Sequence, residues 1–266
     1  MPSIIISPGR RLMYLRGYAI ALVLAVIGLG ACVAPPELPG TVALVKPTPP
    51  PTERPPLTKP PLPADWPYRW LKGIPCHPPC WEGVTPGQTT AAEAAEILHL
   101  SPLIATVEVT TTRLTPEMGE VRWSWVGREG RWGGWAAFHA QMPSSPIYAV
   151  YPYLPASFRL GDVIQSYGEP SHIIAKAFPR PDSEGFDYAL SILYRSQGFI
   201  LLDGGAIKPA LNADTLFEGV IFFALNDEGL QAALAGAAEH PEWVIPWQGM
   251  KDYDYYCTDI AGKPCP

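Results

Sequence analysis

Cys76, Cys80, Cys257 and Cys265 are the residues best placed by type and spacing to do chemistry. Such thiols pair as disulfides or, as thiolates, hold zinc. Cys76-His77-Pro78-Pro79-Cys80 offers two thiolates and an imidazole to a tetrahedral site. Two prolines between those cysteines oppose the tight turn of a zinc knuckle, so disulfides are expected. Three pairings are possible. Two local bridges form one of them. A nested pair, Cys80–Cys257 with Cys76–Cys265, is favoured. A link closing roughly 170 residues removes more unfolded-state entropy than one closing four, because the effect grows with the logarithm of loop length. It would also hold a tail, Trp243 to Pro266, with little regular patterning.

Other signatures of catalysis are missing from the sequence. There is no Gly-x-Ser-x-Gly elbow, no His-Glu-x-x-His, no phosphate loop and no dinucleotide fingerprint. Gly127, Gly130, Gly133 and Gly134 surround Arg128, Arg131 and Trp132, which suits a hairpin. No helix follows them to bind an anion at its N-terminus. His99, His139, His172 and His240 are scattered and read as structural. Asp252-Tyr253-Asp254 and Asn212-Ala213-Asp214 carry oxygen ligands suited to Ca²⁺ but read as solvated loops. The expectation is a chain that is not an enzyme and uses no metal and no cofactor. A hydrolase with an unrecognised site stays an alternative. The aromatic residues offer binding chemistry instead. Trp123, Trp125, Trp132 and Trp135 fall on neighbouring expected strands. They either fill a core or form a surface that stacks on sugar rings or on a partner's apolar side chains.

A fifth cysteine has a different setting. Arg10, Arg11 and Arg16 precede an apolar run from Gly17 to Ala31 that ends in Leu29-Gly30-Ala31-Cys32. This resembles a bacterial lipoprotein signal with its lipobox. The resemblance implies that Cys32 takes the lipid (diacylglyceryl and palmitate) and becomes the mature N-terminus. The apolar run is about 15 residues, short of the roughly 20 a spanning helix needs. Two or more acyl chains hold a protein firmly on a membrane. The expected location is therefore extracytoplasmic, on the outer face of the cell membrane, with residues 1–32 as signal. Residues 33–65 read as an extended spacer. Pro47, Pro49, Pro50, Pro51, Pro55, Pro56, Pro60, Pro61 and Pro63 deny it both helix and sheet. Polyproline II rising about 3.1 Å per residue is the expected form. Removing the three signal arginines from 19 basic residues leaves 16 against 25 acidic ones, a net charge near −9. That balance argues against nucleic acid and lipid headgroups as ligands, both of which favour clustered Lys and Arg.

Residues 66–266 must supply the folded part. Thr90-Ala91-Ala92-Glu93 is a capping box that opens a helix, which Pro102 ends. Strands are expected over 105–113, 121–126, 132–140 and 147–151. Alternation puts Val121, Trp123 and Trp125 on one face and Arg122 and Ser124 on the other. A second helix over 160–167 is closed by Gly168 and Pro170. Strands over 171–178, 188–194, 199–202 and 217–224 follow, then an alanine-rich helix over 227–238. One helix followed by strands thus occurs twice, over 84–152 and 156–226. The links are too short for parallel crossovers. The expected fold is α+β, an antiparallel sheet with short helices on one face.

Gly87-Gln88-Thr89, a helix, Gly168-Glu169-Pro170 and antiparallel strands resemble the small lipoproteins of the BamE (SmpA/OmlA) type. A tandem of such units is similar to the β-lactamase inhibitor protein fold. The first unit has Leu100-Ser101-Pro102 where the pattern has Gly-x-Pro, and the second lacks the opening Gly-x-Thr. The chain also resembles uncharacterised bacterial lipoproteins that combine a Pro79–Gly87-like segment with a Gly-Asp-Val-Ile…Tyr-Gly-Glu-Pro segment. Tether, repeat and missing catalytic motif together imply a protein-binding or envelope-assembly module whose partner is another envelope protein. A cell-wall glycan is the other ligand class implied.

Overall fold

Two runs of alternating apolar residues, each led by a short helix, share one antiparallel sheet in the computed structural model. The structure describes residues 61–111, 118–127, 133–142, 144–180, 184–259 and 262–265, which all belong to one unit spanning Pro55–Pro266. The first run is helix α1 (Ala91–Leu100) and strands β1 (Ile104–Thr110), β2 (Met118–Trp125), β3 (Gly134–His139) and β4 (Ala149–Pro152). A two-residue strand β5 (Phe158–Arg159) leads into α2 (Leu160–Tyr167). Then come β6 (His172–Pro179), β7 (Phe186–Tyr194), β8 (Phe199–Gly205), β9 (Leu216–Phe217) and β10 (Gly219–Phe223). The chain ends with α3 (Asp227–Leu234), β11 (Ile245–Pro246), α4 (Tyr253–Tyr256) and β12 (Thr258–Asp259). The main sheet runs β1-β2-β3-β4-β10-β8-β7-β6-β11, with β12 also on β6, while β5 and β9 pair apart from it.

The helix boundaries follow from local chemistry. Glu93 accepts the Thr90 amide at 2.8 Å and the Thr90 hydroxyl accepts the Glu93 amide at 3.4 Å, closing the capping box. Gly168, at φ 79°, ends α2 with its amide on the Ile164 carbonyl. Asn226 caps α3 by accepting the Gly229 amide at 2.8 Å.

The two sheet faces are covered differently. One face packs α1 through Ala91, Ala94 and Leu98 and α2 through Leu160 and Val163, against strand residues such as Val121, Phe138, Phe222 and Ile192. Each fully buried apolar side chain of this size contributes about 1.5–3 kcal/mol. Three tryptophans from the segment before α1 wedge into the same face. Trp66 meets Trp125 at 4.5 Å, Trp81 stacks on Trp123 at 5.0 Å, and Trp70 stacks on Tyr167 at 5.8 Å. Of the three helices expected on one face, only α1 and α2 share it. The third adds a cover to the opposite one, where Ala233 and Leu230 of α3 join Ala149, Ile221, Phe223 and Ile200.

The cysteine pairing corrects the nested expectation. Cys76 is bonded to Cys80 and Cys257 to Cys265, with Cα separations of 5.7 and 5.5 Å. No thiolate of the four is left for zinc. The tail is held by other means. The amide of Trp247 donates to Ser171, and the Tyr253 hydroxyl lies 3.0 Å from the carbonyls of Lys176 and Ala189. β11 and β12 pair with β6. Cys80 and Cys257 therefore belong to different places. Pro79 reaches the turn at Gly198, whereas Thr258 sits opposite Lys176 in the body of β6.

Candidate functional site

Strand register builds the site. On the face opposite α1, β1 to β4 line up Glu108, Arg122, Trp135 and Tyr151 as direct neighbours in one row. The next row holds Thr110, Glu120, Ala137 and Ala149. Thr106 and Ser124 pair on the other side, their hydroxyls 2.7 Å apart.

Alternation also splits the four tryptophans singled out by sequence. Trp123 and Trp125 are 1% and 2% exposed, stacked among Trp66 and Trp81. Of the two expected alternatives, these two residues take the core and not the binding surface. The physical reason is that the segment before α1 covers their face with its own tryptophans. Gly134 permits this packing, because a Cβ there would meet the Trp123 ring and the Tyr151 carbonyl oxygen, the latter at 2.6 Å. Trp132 lies outside the described residues, as do Cys32, Arg128 and Arg131. Trp135 points to the other face and stays partly exposed. Its ring lies flat on Tyr151, centroids 3.9 Å apart, and its indole N–H donates to the Tyr153 hydroxyl at 3.1 Å.

Tyr151 and Tyr153 were not among the sequence candidates. Tyr151-Pro152-Tyr153 does carry the aromatic alternation that would mark one face. Its register against Trp135 depends on two turns that sequence does not fix. The Tyr151 hydroxyl donates to the Ala232 carbonyl of α3 at 3.2 Å, and burial pushes its pKa well above that of a free phenol. Tyr153 is 48% exposed. Trp135, Tyr151 and Tyr153 thus form a fixed aromatic group at the margin of α3.

Charge lies beside it. Glu120 is buried and pairs with Arg122 through the Nε and Nη2 of the guanidinium. A buried carboxylate demands such a partner, because losing hydration costs several kcal/mol. Glu120 Oε1 and Thr110 Oγ1, in facing register, are buried without a hydrogen-bond partner among the described residues. Tyr148 is pushed up to about 12 by burial and then by Glu228 and Glu120. It is therefore a neutral donor at physiological pH. His139 of β3 pairs with Glu228 at the start of α3, both on open surface at 41% and 47% exposure. Arrays of this kind suit adhesion of a ligand, since the side chains are held by one another before anything binds.

Two shallow pockets lie elsewhere. One of about 290 Å³ is lined by Arg195, Ser196, Leu225 and Asp227. The other, about 400 Å³, runs beside α1 past Glu93, Glu96, Ile97 and Leu100. No group of three His, Cys, Asp or Glu side chains suited to a metal occurs among the described residues. Asp254 instead pairs with Lys208 at 2.6 Å and Asp214 with Arg159 at 3.5 Å. No described helix is long and apolar enough to cross a membrane. Comparison of the chain with family models, with curated proteins and with solved structures finds no match in any of the three.

Proposed function

We propose that this is a lipid-anchored extracytoplasmic protein that works by binding another envelope protein, without catalysis, through the sheet face carrying Trp135, Tyr151 and Tyr153. The observation that carries this reading is the unequal cover of that face. α3 packs over β10 and β4 and meets β3 where Glu228 pairs with His139. Beyond it, Glu108, Trp135 and Tyr153 remain at the surface around Arg122. Aromatic residues and arginine flanked by polar groups are the composition enriched where proteins bind proteins. The anchor at Cys32 and the proline-rich spacer fit this use, since they would display such a face away from the bilayer. A glycan ligand ranks second. Of the tryptophans it draws on, Trp123 and Trp125 are buried, and one ring face of Trp135 is already taken by Tyr151.

The test is capture of partners from the protein's own membranes with the intact lipoprotein, compared with Trp135→Ala and Tyr153→Ala. The reading requires one protein to be retained by the parent and lost from both variants. Retention by both variants would refute the face. Quenching of tryptophan fluorescence by cell-wall glycan, abolished in Trp135→Ala, would replace the polypeptide reading with the glycan one.

A further inference from the structure

The topology points further, to an edge. Two four-strand meanders joined through β4 and β10 leave the first strand of each, β1 and β6, outermost. The chain treats these two edges unequally. β6 is covered by β11 at His172 and Ile173 and by β12 at Lys176 and Ala177. The Cys257–Cys265 bridge and a bridging pair between Thr258 and Pro264 hold that cover in place. β1 has β2 as its only strand partner among the described residues.

Resting on the reading of this chain as a polypeptide-binding protein, we propose that β1 is a docking edge that takes an extended, lysine- or arginine-bearing segment of the partner as an added strand. An uncovered edge presents unpaired backbone N–H and C=O groups, a template for another strand. Edges kept free of such contacts usually carry lysine, proline or bulges along their length. β1 is Ile-Ala-Thr-Val-Glu-Val-Thr, with no proline and no lysine. Its one bulge lies between Ile104 and Thr106, and Thr106 to Thr110 then keep unbroken register with β2. Thr106, Glu108 and Val109 are exposed along that stretch.

Charge selects the occupant. α1, β1 and β2 carry Glu93, Glu96, Glu108 and Glu120 against Arg122, which is bound to Glu120, and His99 in the last turn of α1. Glu93 is held by Thr90, which bridges Pro146 before β4, so Glu108 is the acid that stands on the edge itself. A second copy of this chain would bring the same acid to the same place, and like charges facing across strands repel. A cationic strand gains where a copy loses. Its basic side chain meets Glu108 and its apolar neighbour meets Val109, which is 48% exposed.

The experiment uses the full-length lipoprotein in detergent and a fluorescent peptide, Lys-Val-Thr-Val-Lys-Val-Thr. Binding is read by anisotropy, and amide hydrogen exchange reports which strand is protected. The expected result is binding, with exchange slowed at Thr106 to Thr110. Replacing both peptide lysines by glutamate, or Glu108→Lys or Val109→Lys in the protein, should weaken it at least tenfold. Prolines at alternate peptide positions should abolish it. Both protein positions are exposed, and unchanged near-ultraviolet circular dichroism checks the fold. Equal binding of the proline peptide, protection on a strand other than β1, or concentration-dependent dimerisation lost in Glu108→Lys would each overturn the proposal. Capture of the native partner separates the two ideas. Loss in Trp135→Ala with retention in Glu108→Lys keeps the face and rejects the edge. Loss in Val109→Lys, whose side chain lies outside that row, with retention in Trp135→Ala keeps the edge and rejects the face.

Discussion

Trp123→Ala and Trp135→Ala remove the same atoms from adjacent strands and should have opposite consequences. Trp123 is fully buried between Trp81 and Trp125. Its loss leaves a cavity in a face already packed by the segment before α1, and such truncations cost about 3–5 kcal/mol. Trp135 loses a stack worth about 0.5–1.5 kcal/mol and a hydrogen bond of similar net value. Water refills its partly exposed site, so about 1–2 kcal/mol is the expected cost. For a folded part of this size each kcal/mol moves the melting temperature by about 2–4 °C. Scanning calorimetry of the parent and both variants should therefore show losses of about 12 °C for Trp123→Ala and about 5 °C for Trp135→Ala. Trp123→Phe guards against outright misfolding. It keeps an aromatic ring and loses no hydrogen bond, since the Trp123 indole N–H has no partner among the described residues. Partner capture should fall in Trp135→Ala and survive in Trp123→Phe. Equal melting losses for the two alanine variants would refute the division of these tryptophans into core and surface.

Three further outcomes follow from local geometry. Alanine for glycine inside a helix normally stabilises by about 1 kcal/mol, but Gly229→Ala should destabilise by about 1–2 kcal/mol in urea titration. A Cβ there would press on Ala224, 2.6 Å from its nitrogen, and displace α3, an overpacking cost of about 1–3 kcal/mol. The His172 imidazole is held below its ordinary 6.5 by burial and by Arg195. Its neutral form is favoured in the fold, so stability is complete above about pH 6.5 and falls with pH until the folded imidazole itself takes the proton. Melting curves across that window should be flatter for His172→Gln. Replacing Cys257 and Cys265 together by serine should cost about 2–3 kcal/mol by loop entropy. Hydrogen exchange should quicken at Thr258, with β2 and β3 unaffected.

Much of this fold was legible because its elements are marked locally. The capping box at Thr90 and Glu93 and the Gly168 stop each act within one turn of chain, and both α1 and α2 form where those signals stand. Period-two alternation put Val121, Trp123 and Trp125 on one face, as observed. Alternation says which residues share a face, not which face is covered. That depends on Trp66 and Trp70, both buried from one 3₁₀-helix over Trp66–Lys72, and on Trp81 beyond it, whose contacts with the sheet are tertiary. The aromatic group at Trp135 was half legible for the same reason. Tyr151 and Tyr153 join it through the register of β3 against β4, which the intervening turn sets.

The disulfides show a different limit. Loop entropy ranks a long bridge at about 5 kcal/mol and a short one at about 2–3 kcal/mol, which says what a bridge would contribute and nothing about where its ends lie. The ends are decided by the sheet. β6 is an outer strand, and an outer strand in an unguarded sheet invites pairing with other chains. The tail runs along β6, its β12 lies beside Lys176, and a bridge of Cys257 to anything but its own neighbour would draw it away. Local closure is thus the pairing that leaves the tail free to cover an edge. The same logic gives meaning to β1. A chain that spends its last residues on covering one outer strand, and presents Thr106, Glu108 and Val109 on the other, distinguishes its two edges. Deleting residues 245–266 should therefore make β6 a second strand-binding edge, and the purified protein should then self-associate through it. A truncated chain that remained monomeric and bound the cationic peptide only at β1 would separate the tail from that protective role.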